Sequence, residues 1–144
     1  MRVLLPVDGS EGALEAVRHA LRLVGDGLTA TFVLANVQEP ASLYEVVVAH
    51  DAAVIAQISE AAAAHALAPA QALLRAADVS FETEIDHGDP GHQLLDILER
   101  FGCDQVILGA RGVEPFDGGA LGPVASTVLQ RARVPVTVVP RMAG

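Results

Sequence analysis

The sequence contains no lysine and no tryptophan, one cysteine and one tyrosine, and aromatic residues make up only 3% of its 144 positions. Each shortage excludes something. One cysteine, Cys103, leaves no partner for an intramolecular disulfide. With so few rings, the core has to be built from Val, Leu, Ile and Ala, and the 51% hydrophobic content supports a globular chain rather than a disordered one. A phosphate-accepting receiver domain needs a lysine, an acidic cluster at the end of the first strand and a separate acceptor aspartate; Asp8 stands alone, so that reading is set aside. No apolar run reaches the roughly 18 residues of a membrane-spanning helix. Positive charge is also scarce. Nine basic against 18 acidic residues give a net charge of −9, which repels nucleic-acid backbone and anionic membrane alike. No signal peptide is recognisable, so a reducing cytoplasm is the expected compartment.

Glycine is plentiful, and five of its occurrences fall in Gly109–Pro123, GARGVEPFDGGALGP. An apolar run, Gln105–Leu108, precedes this stretch and reads as a buried strand. Val124, Val128 and Leu129 follow at helical spacing. A strand, a glycine-rich loop and a helix start can together bind an anion, because loop amides converge on it and the helix dipole adds partial positive charge. Glycine also lets a phosphate approach the backbone.

The rest of the chain alternates in the same way. Val3–Val7 reads as a central parallel strand. Ser10 is the expected N-cap of a helix whose face is Ala13, Leu14, Val17, Ala20, Leu21 and Val24, stopped by Gly25-Asp-Gly27. Thr29–Val37 reads as strand two. Leu43 to about Ala77 is alanine-rich with helical spacing, and Pro69 predicts a kink or break near Ala66–Pro69. Val79–Ile85 alternates apolar with polar residues and is placed at a sheet edge. Asp89-Pro90 reads as an N-cap followed by proline in the first helical position. Leu94, Leu95 and Leu98 are the expected buried stripe of that helix, which Gly102 closes. Val134–Val139 is the last strand. This β-α-β-α-β-α-β-α-β order makes a single-domain α/β fold, a doubly wound parallel sheet with helices on both faces.

Val3-Leu-Leu-Pro-Val-Asp8-Gly-Ser10, Gly88-Asp89-Pro90, Gly109-x2-Gly112-x9-Gly122 and Val134-Pro-Val-Thr-Val-Val139 resemble, in order and spacing over nearly the whole chain, the universal stress protein family. The resemblance implies an adenine nucleotide alpha hydrolase-like fold with strand order 3-2-1-4-5 and a role in stress response. It also implies an adenine nucleotide, ATP with Mg²⁺, bound at the crevice between strands one and four, where ligands of such sheets sit. A homodimer paired through strand 134–139 is implied as well. Residue by residue, Pro6, Val7 and Asp8 match the family's nucleotide-contacting segment. The Val37 backbone is expected at the adenine edge, and Leu108 at the end of strand four joins the candidate set. Gly109, Arg111, Gly112 and Gly122, with the amides of Val124 and Ala125, are expected around the phosphates.

One position departs from the family pattern. The last loop glycine is followed there by Ser or Thr, and here by Pro123, which has neither an N–H nor a hydroxyl. Glu114 and Asp117 add negative charge to the loop, offset by Arg111. These residues support an alternative, the same fold with a degenerate nucleotide site acting by protein–protein interaction. Asp8 on its own residues also reads as a plain Asx-turn, and Arg111 could pair with Glu114 as readily as with a phosphate. Ser126 and Thr127 could replace the missing hydroxyl or be ordinary helix-surface positions. His19, His50, His65, His87 and His92 show no metal-ligand spacing. Cys103 reads as a small buried hydrophobe. No nucleophile, base and orienting group can be assembled into a catalytic set, and no metal site is expected in the protein itself.

Overall fold

In the computed structural model, residues 1–39, 52–111 and 121–140 are described. Five parallel strands form one sheet: β1 Arg2–Pro6, β2 Thr31–Gln38, β3 Phe81–His87, β4 Gln105–Gly109 and β5 Val136–Val139. Their spatial order is β3-β2-β1-β4-β5, the order implied by the family resemblance. The register pairs Leu4 of β1 with Val33 of β2 on one side and with Val106 of β4 on the other. Four helices connect the strands among the described residues: α1 Glu11–Gly25, α2 Ala52–Ala76, α3 Pro90–Arg100 and α4 Pro123–Arg131.

β1 is central because it is apolar on both faces. Val3 and Leu5 face a core shared with Ala13, Ala16 and Val17 of α1 and with Leu67, Ala70 and Leu74 of α2. Leu4 faces the opposite core, with Leu94, Ile97 and Leu98 of α3 and Ala125 and Val128 of α4. Each fully buried Leu, Ile or Val contributes roughly 1.5–3 kcal/mol. Small residues let the helices approach closely, and this replaces the bulk that aromatic rings would supply.

The sequence expectations meet four corrections. α2 runs through Pro69 without a break. Proline leaves the carbonyl four residues back without its helix bond, but Pro69 and His65 both lie on the exposed side, where that group is open to solvent. The part of the expected helix before Ala52 lies outside the described residues. In α3 the buried stripe is Leu94, Ile97 and Leu98, with Leu95 only partly covered. Leu129 of α4 is exposed, because the helix turns Val124, Ala125 and Val128 to the sheet. β3 is an edge strand as expected, but its apolar row is not uniformly buried: Phe81 packs on the core while Ile85 is exposed. On its other face Arg100 bridges Glu84 (3.1 Å) and Asp86 (2.6 Å) while also meeting Asp96 (2.7 Å), so ion pairs rather than apolar contacts tie α3 to the sheet edge.

Both predicted helix caps form. The Ser10 hydroxyl accepts from the Ala13 amide at 3.2 Å. Asp89 Oδ2 accepts from the His92 amide at 3.1 Å and lies 2.6 Å from His92 Nδ1. These bonds, the backbone one foremost, hold the Asp89 carboxyl below its ordinary range. A carboxylate with a lowered pKa stabilises the fold above its unfolded-state pKa and ceases to do so as pH falls through the lowered value. Asp89→Ala is therefore expected to cost about 1 kcal/mol at neutral pH and less at pH values below about 4. Urea unfolding at both pH values checks this, and an equal loss at the two would remove charge from the explanation.

Candidate functional site

The C-terminal ends of β1, β2 and β4 and the first turns of α1, α3 and α4 enclose a cleft of about 340 Å³. It sits where β1 and β4 part, the switch point of the sheet. Consecutive connections leave a doubly wound sheet on opposite faces there, so a crevice opens for geometric reasons.

β1 delivers Pro6, Val7 and Asp8 to this cleft. Both backbone groups of Val7 are used within the fold. Its amide donates to the Ala35 carbonyl (2.8 Å), and its carbonyl accepts from Asn36 Nδ2 (2.8 Å). Val7 thus has no amide left to offer a ligand. Asp8 is exposed at the mouth, and its Oδ1 accepts from the Ser10 amide at 2.9 Å. This is an Asx-turn, and Gly9, at φ +88°, completes it. The turn holds the carboxylate at the entrance as α1 begins.

β4 delivers Leu108 and Gly109, followed by Ala110 and Arg111. Gly109 is needed for close approach. A Cβ there would lie 2.6 Å from the Gly12 carbonyl oxygen, and a Cβ on Gly12 would lie 2.6 Å from the Arg111 carbonyl oxygen. The start of α1 is therefore pressed backbone to backbone against the end of β4, and these two segments form adjoining walls.

The Gly122 amide donates to the Ala110 carbonyl at 2.7 Å, and the Ala110 amide donates to the Val139 carbonyl at 2.9 Å. Gly122 is the N-cap of α4 and supplies no side-chain cap, and Pro123 is the first helical residue. Two donors expected for a phosphate are thus missing: Gly122 spends its amide internally and Pro123 has none. The amides of Val124 and Ala125 remain at the open helix end, which carries the positive end of the dipole.

β2 delivers Val37 to the cleft together with Ala35, Asn36, Gln38 and Glu39, and α3 adds Pro90 and Leu94. Pro6, Val7, Asp8, Val37, Leu108, Gly109, Arg111, Gly122, Val124 and Ala125 all line it. Gly112, Glu114 and Asp117 lie outside the described residues. Sequence reasoning missed the β2 polar pair. Asn36 is 2% exposed, the one buried polar side chain among the described residues, and Gln38 Nε2 donates to its Oδ1 at 2.6 Å. An asparagine interrupting the apolar run Phe32–Val37 was the available signal.

Other candidate side chains lie elsewhere. Thr127 packs against Gly91 of α3, where a Cβ would come within 2.8 Å of its methyl group, and Ser126 accepts from Gln130 Nε2 at 3.5 Å. His87 meets the Ser59 hydroxyl at 2.9 Å and His92 meets Asp89, both at exposed positions. Cys103 is buried before β4, and loss of solvation pushes its thiol up to about 11, which makes it a poor nucleophile. Among the described residues no group of three His, Cys, Asp or Glu could hold a metal ion, and no helix is long and apolar enough to cross a membrane.

The chain is 24% identical over 138 residues to universal stress protein MJ0531 of Methanocaldococcus jannaschii, an alignment covering 96% of this chain and 81% of that protein. The solved structure of the hypothetical protein MJ0577 superposes with a TM-score of 0.82 at 23% identity, covering 99% of this chain and 97% of that one. A universal stress protein family protein from Arabidopsis thaliana, solved with AMP bound, gives a TM-score of 0.70 at 19% identity, with coverage of 99% and 93%. Likenesses at these identities establish the fold. The family model described as "Universal stress protein family" matches residues 1–140, so with five parallel strands in the order 3-2-1-4-5 this chain belongs to the universal stress protein family.

Proposed function

We propose that the protein binds an adenine nucleotide in the β1/β4 cleft and acts by binding rather than by turnover. The observation that carries this reading is an uncapped helix end, with the amides of Val124 and Ala125, opening onto a cleft that also holds Arg111 and Asp8. In this reading the phosphate lies against those two amides and Arg111, beside Gly109 and Gly122, which line the same cleft. The Asp8 carboxylate accepts from a ribose hydroxyl. Val37 meets the adenine edge through its backbone, and Pro6, Val7 and Leu108 form the apolar floor. AMP in the Arabidopsis relative supports the class of ligand.

ATP with Mg²⁺ falls within the same reading. No described cluster could cage the ion unaided, so it would arrive on the phosphates, with Asp8 as a carboxylate of the cleft to meet it. Mg²⁺ usually binds in this way, keeping several waters and taking one or two protein carboxylates. The reading extends to a stress-response role in the cytoplasm and to a homodimer through the outer edge of β5. That strand has β4 on one side only, and an apolar edge strand needs cover.

A second reading is favoured by the two missing donors at Gly122 and Pro123: a degenerate site on a fold that works through protein contacts. Calorimetry of the wild-type protein with AMP and with ATP plus Mg²⁺ separates them. Binding predicts measurable heat, and stabilisation of about 2.7 kcal/mol at ligand one hundred times the dissociation constant. That corresponds to a rise in Tm of roughly 5–11 °C for a chain of this size. No heat and an unmoved Tm at millimolar ligand would leave the second reading standing.

A further inference from the structure

We propose that Asn36 and Gln38 make the cleft selective for a purine carrying a 6-amino group over one carrying a 6-keto group, with Gln38 Oε1 as the discriminating acceptor. This deepens the nucleotide reading above and rests on it. The argument starts from the orientation of two amides. The oxygen and nitrogen of such a group are ordinarily hard to tell apart, but here a chain of hydrogen bonds assigns both. The Val7 carbonyl can only accept, so Asn36 must present Nδ2 to it, at 2.8 Å. Asn36 Oδ1 is then turned to Gln38 and must receive a donor, so Gln38 must present Nε2, at 2.6 Å. What remains of the Gln38 carboxamide is the second Nε2 hydrogen and Oε1, the one acceptor it has, to which no described residue donates.

The first link is buried and cannot be released cheaply. Asn36 is 2% exposed, and reversing it would set its oxygen against the Val7 carbonyl. Gln38 is only partly covered and lines the cleft beside Val37. The pair therefore acts as an anchored arm: Asn36 is the positioning residue and Gln38 the contact. An exocyclic amino group donates to Oε1. A keto oxygen in the same place meets an acceptor, and rotating the Gln38 amide to relieve that repulsion breaks its bond to Asn36. A site that holds a fixed partner for one group rejects the analogue lacking it, because a polar atom is left unpaired.

The test uses AMP and IMP, which differ at this position of the base, with wild-type protein and Gln38→Met, a change of similar length at a partly exposed site. Isothermal calorimetry on the wild type is expected to give AMP an affinity at least tenfold above that of IMP. In Gln38→Met that ratio is expected to fall to within about twofold of one, chiefly through weaker AMP binding, with Tm unchanged within a degree or two. A wild-type ratio near one, or a ratio that survives Gln38→Met, overturns this inference and leaves the nucleotide reading intact. Absence of binding by either nucleotide to the wild type overturns both.

Discussion

Gly109→Ala is expected to destabilise the protein by about 2–3 kcal/mol, the upper part of the range for overpacking a tight contact, and to lower Tm by roughly 5–10 °C. The added Cβ would stand 2.6 Å from the Gly12 carbonyl oxygen, 2.8 Å from its carbon and 3.3 Å from the Ala13 amide nitrogen. These are backbone atoms, so no rotamer change relieves the clash. Either α1 moves away from β4 or the end of β4 bends. Both carry cleft residues: Asp8 and Ser10 precede or cap α1, and Ala110 and Arg111 follow β4. Nucleotide affinity should fall with stability. Gly12→Ala meets the Arg111 carbonyl oxygen at the same 2.6 Å, and a displacement of α1 relieves both clashes. The double variant should therefore lose clearly less stability than the two single losses added together. Gly25→Ala serves as a control, since nothing lies within 4 Å of its added Cβ and alanine is the better helix former, worth roughly 0.5–1 kcal/mol. Urea unfolding of the four variants provides the measurement. A Gly109→Ala protein within about 0.5 kcal/mol of wild type, the range typical of an inconsequential surface change, would show that the two backbones can part without cost.

The same contact shows which parts of this protein the sequence discloses. Caps are local, and Ser10 and Asp89 were legible because a side chain needs to reach only three residues along the chain. Element types were legible from apolar spacing. Strand order was not a matter of spacing; it came with the family resemblance, and the observed order agrees with it. Properties set by what lies across a gap were not legible. Pro69 led to the expectation of a kink or break, yet the helix is unbroken there, because the exposure of that turn depends on how α2 lies on the sheet. Leu129 and Ile85 look like core residues by periodicity, yet the faces they occupy are left uncovered.

At the site, the distribution is similar. Glycine density and the strand–loop–helix order pointed to the C-terminal end of the sheet, and the described candidates line one cleft there. Hydrogen-bond accounting could not be read in advance. Gly122 was a natural phosphate donor until the fold gave its amide to Ala110, and Val7 had both backbone groups consumed by β2 and Asn36. Asn36 and Gln38, two positions apart and on the same face of β2, acquire meaning only when β1 lies alongside.

Pro123→Ser is expected to raise affinity for AMP, and for ATP with Mg²⁺, by roughly ten- to a hundredfold. The expectation follows from counting donors at the start of α4. Gly122 is committed to Ala110 at 2.7 Å and Pro123 has no N–H, which leaves two amides where a helix start of this kind offers more. Serine restores an amide at the first helical position and adds a hydroxyl. Hydrogen bonds to a charged group contribute about 1.5–3 kcal/mol each, so one new bond accounts for the lower figure. Pro123 is exposed and lies at the lip of the cleft, so the substitution leaves the core intact. Its effect on stability has the opposite sign. Proline in a conformation that suits it restricts the unfolded chain, and losing it costs about 0.4–1 kcal/mol, or roughly 1–4 °C in Tm. Calorimetry and thermal unfolding of the ligand-free variant should therefore move in contrary directions: tighter binding on a slightly weaker fold. That pairing separates a local restoration of donors from general tightening of the molecule, which would raise both. An affinity unchanged by Pro123→Ser, with the expected small loss of Tm, would mean that the phosphate of a bound nucleotide does not rest on the start of α4.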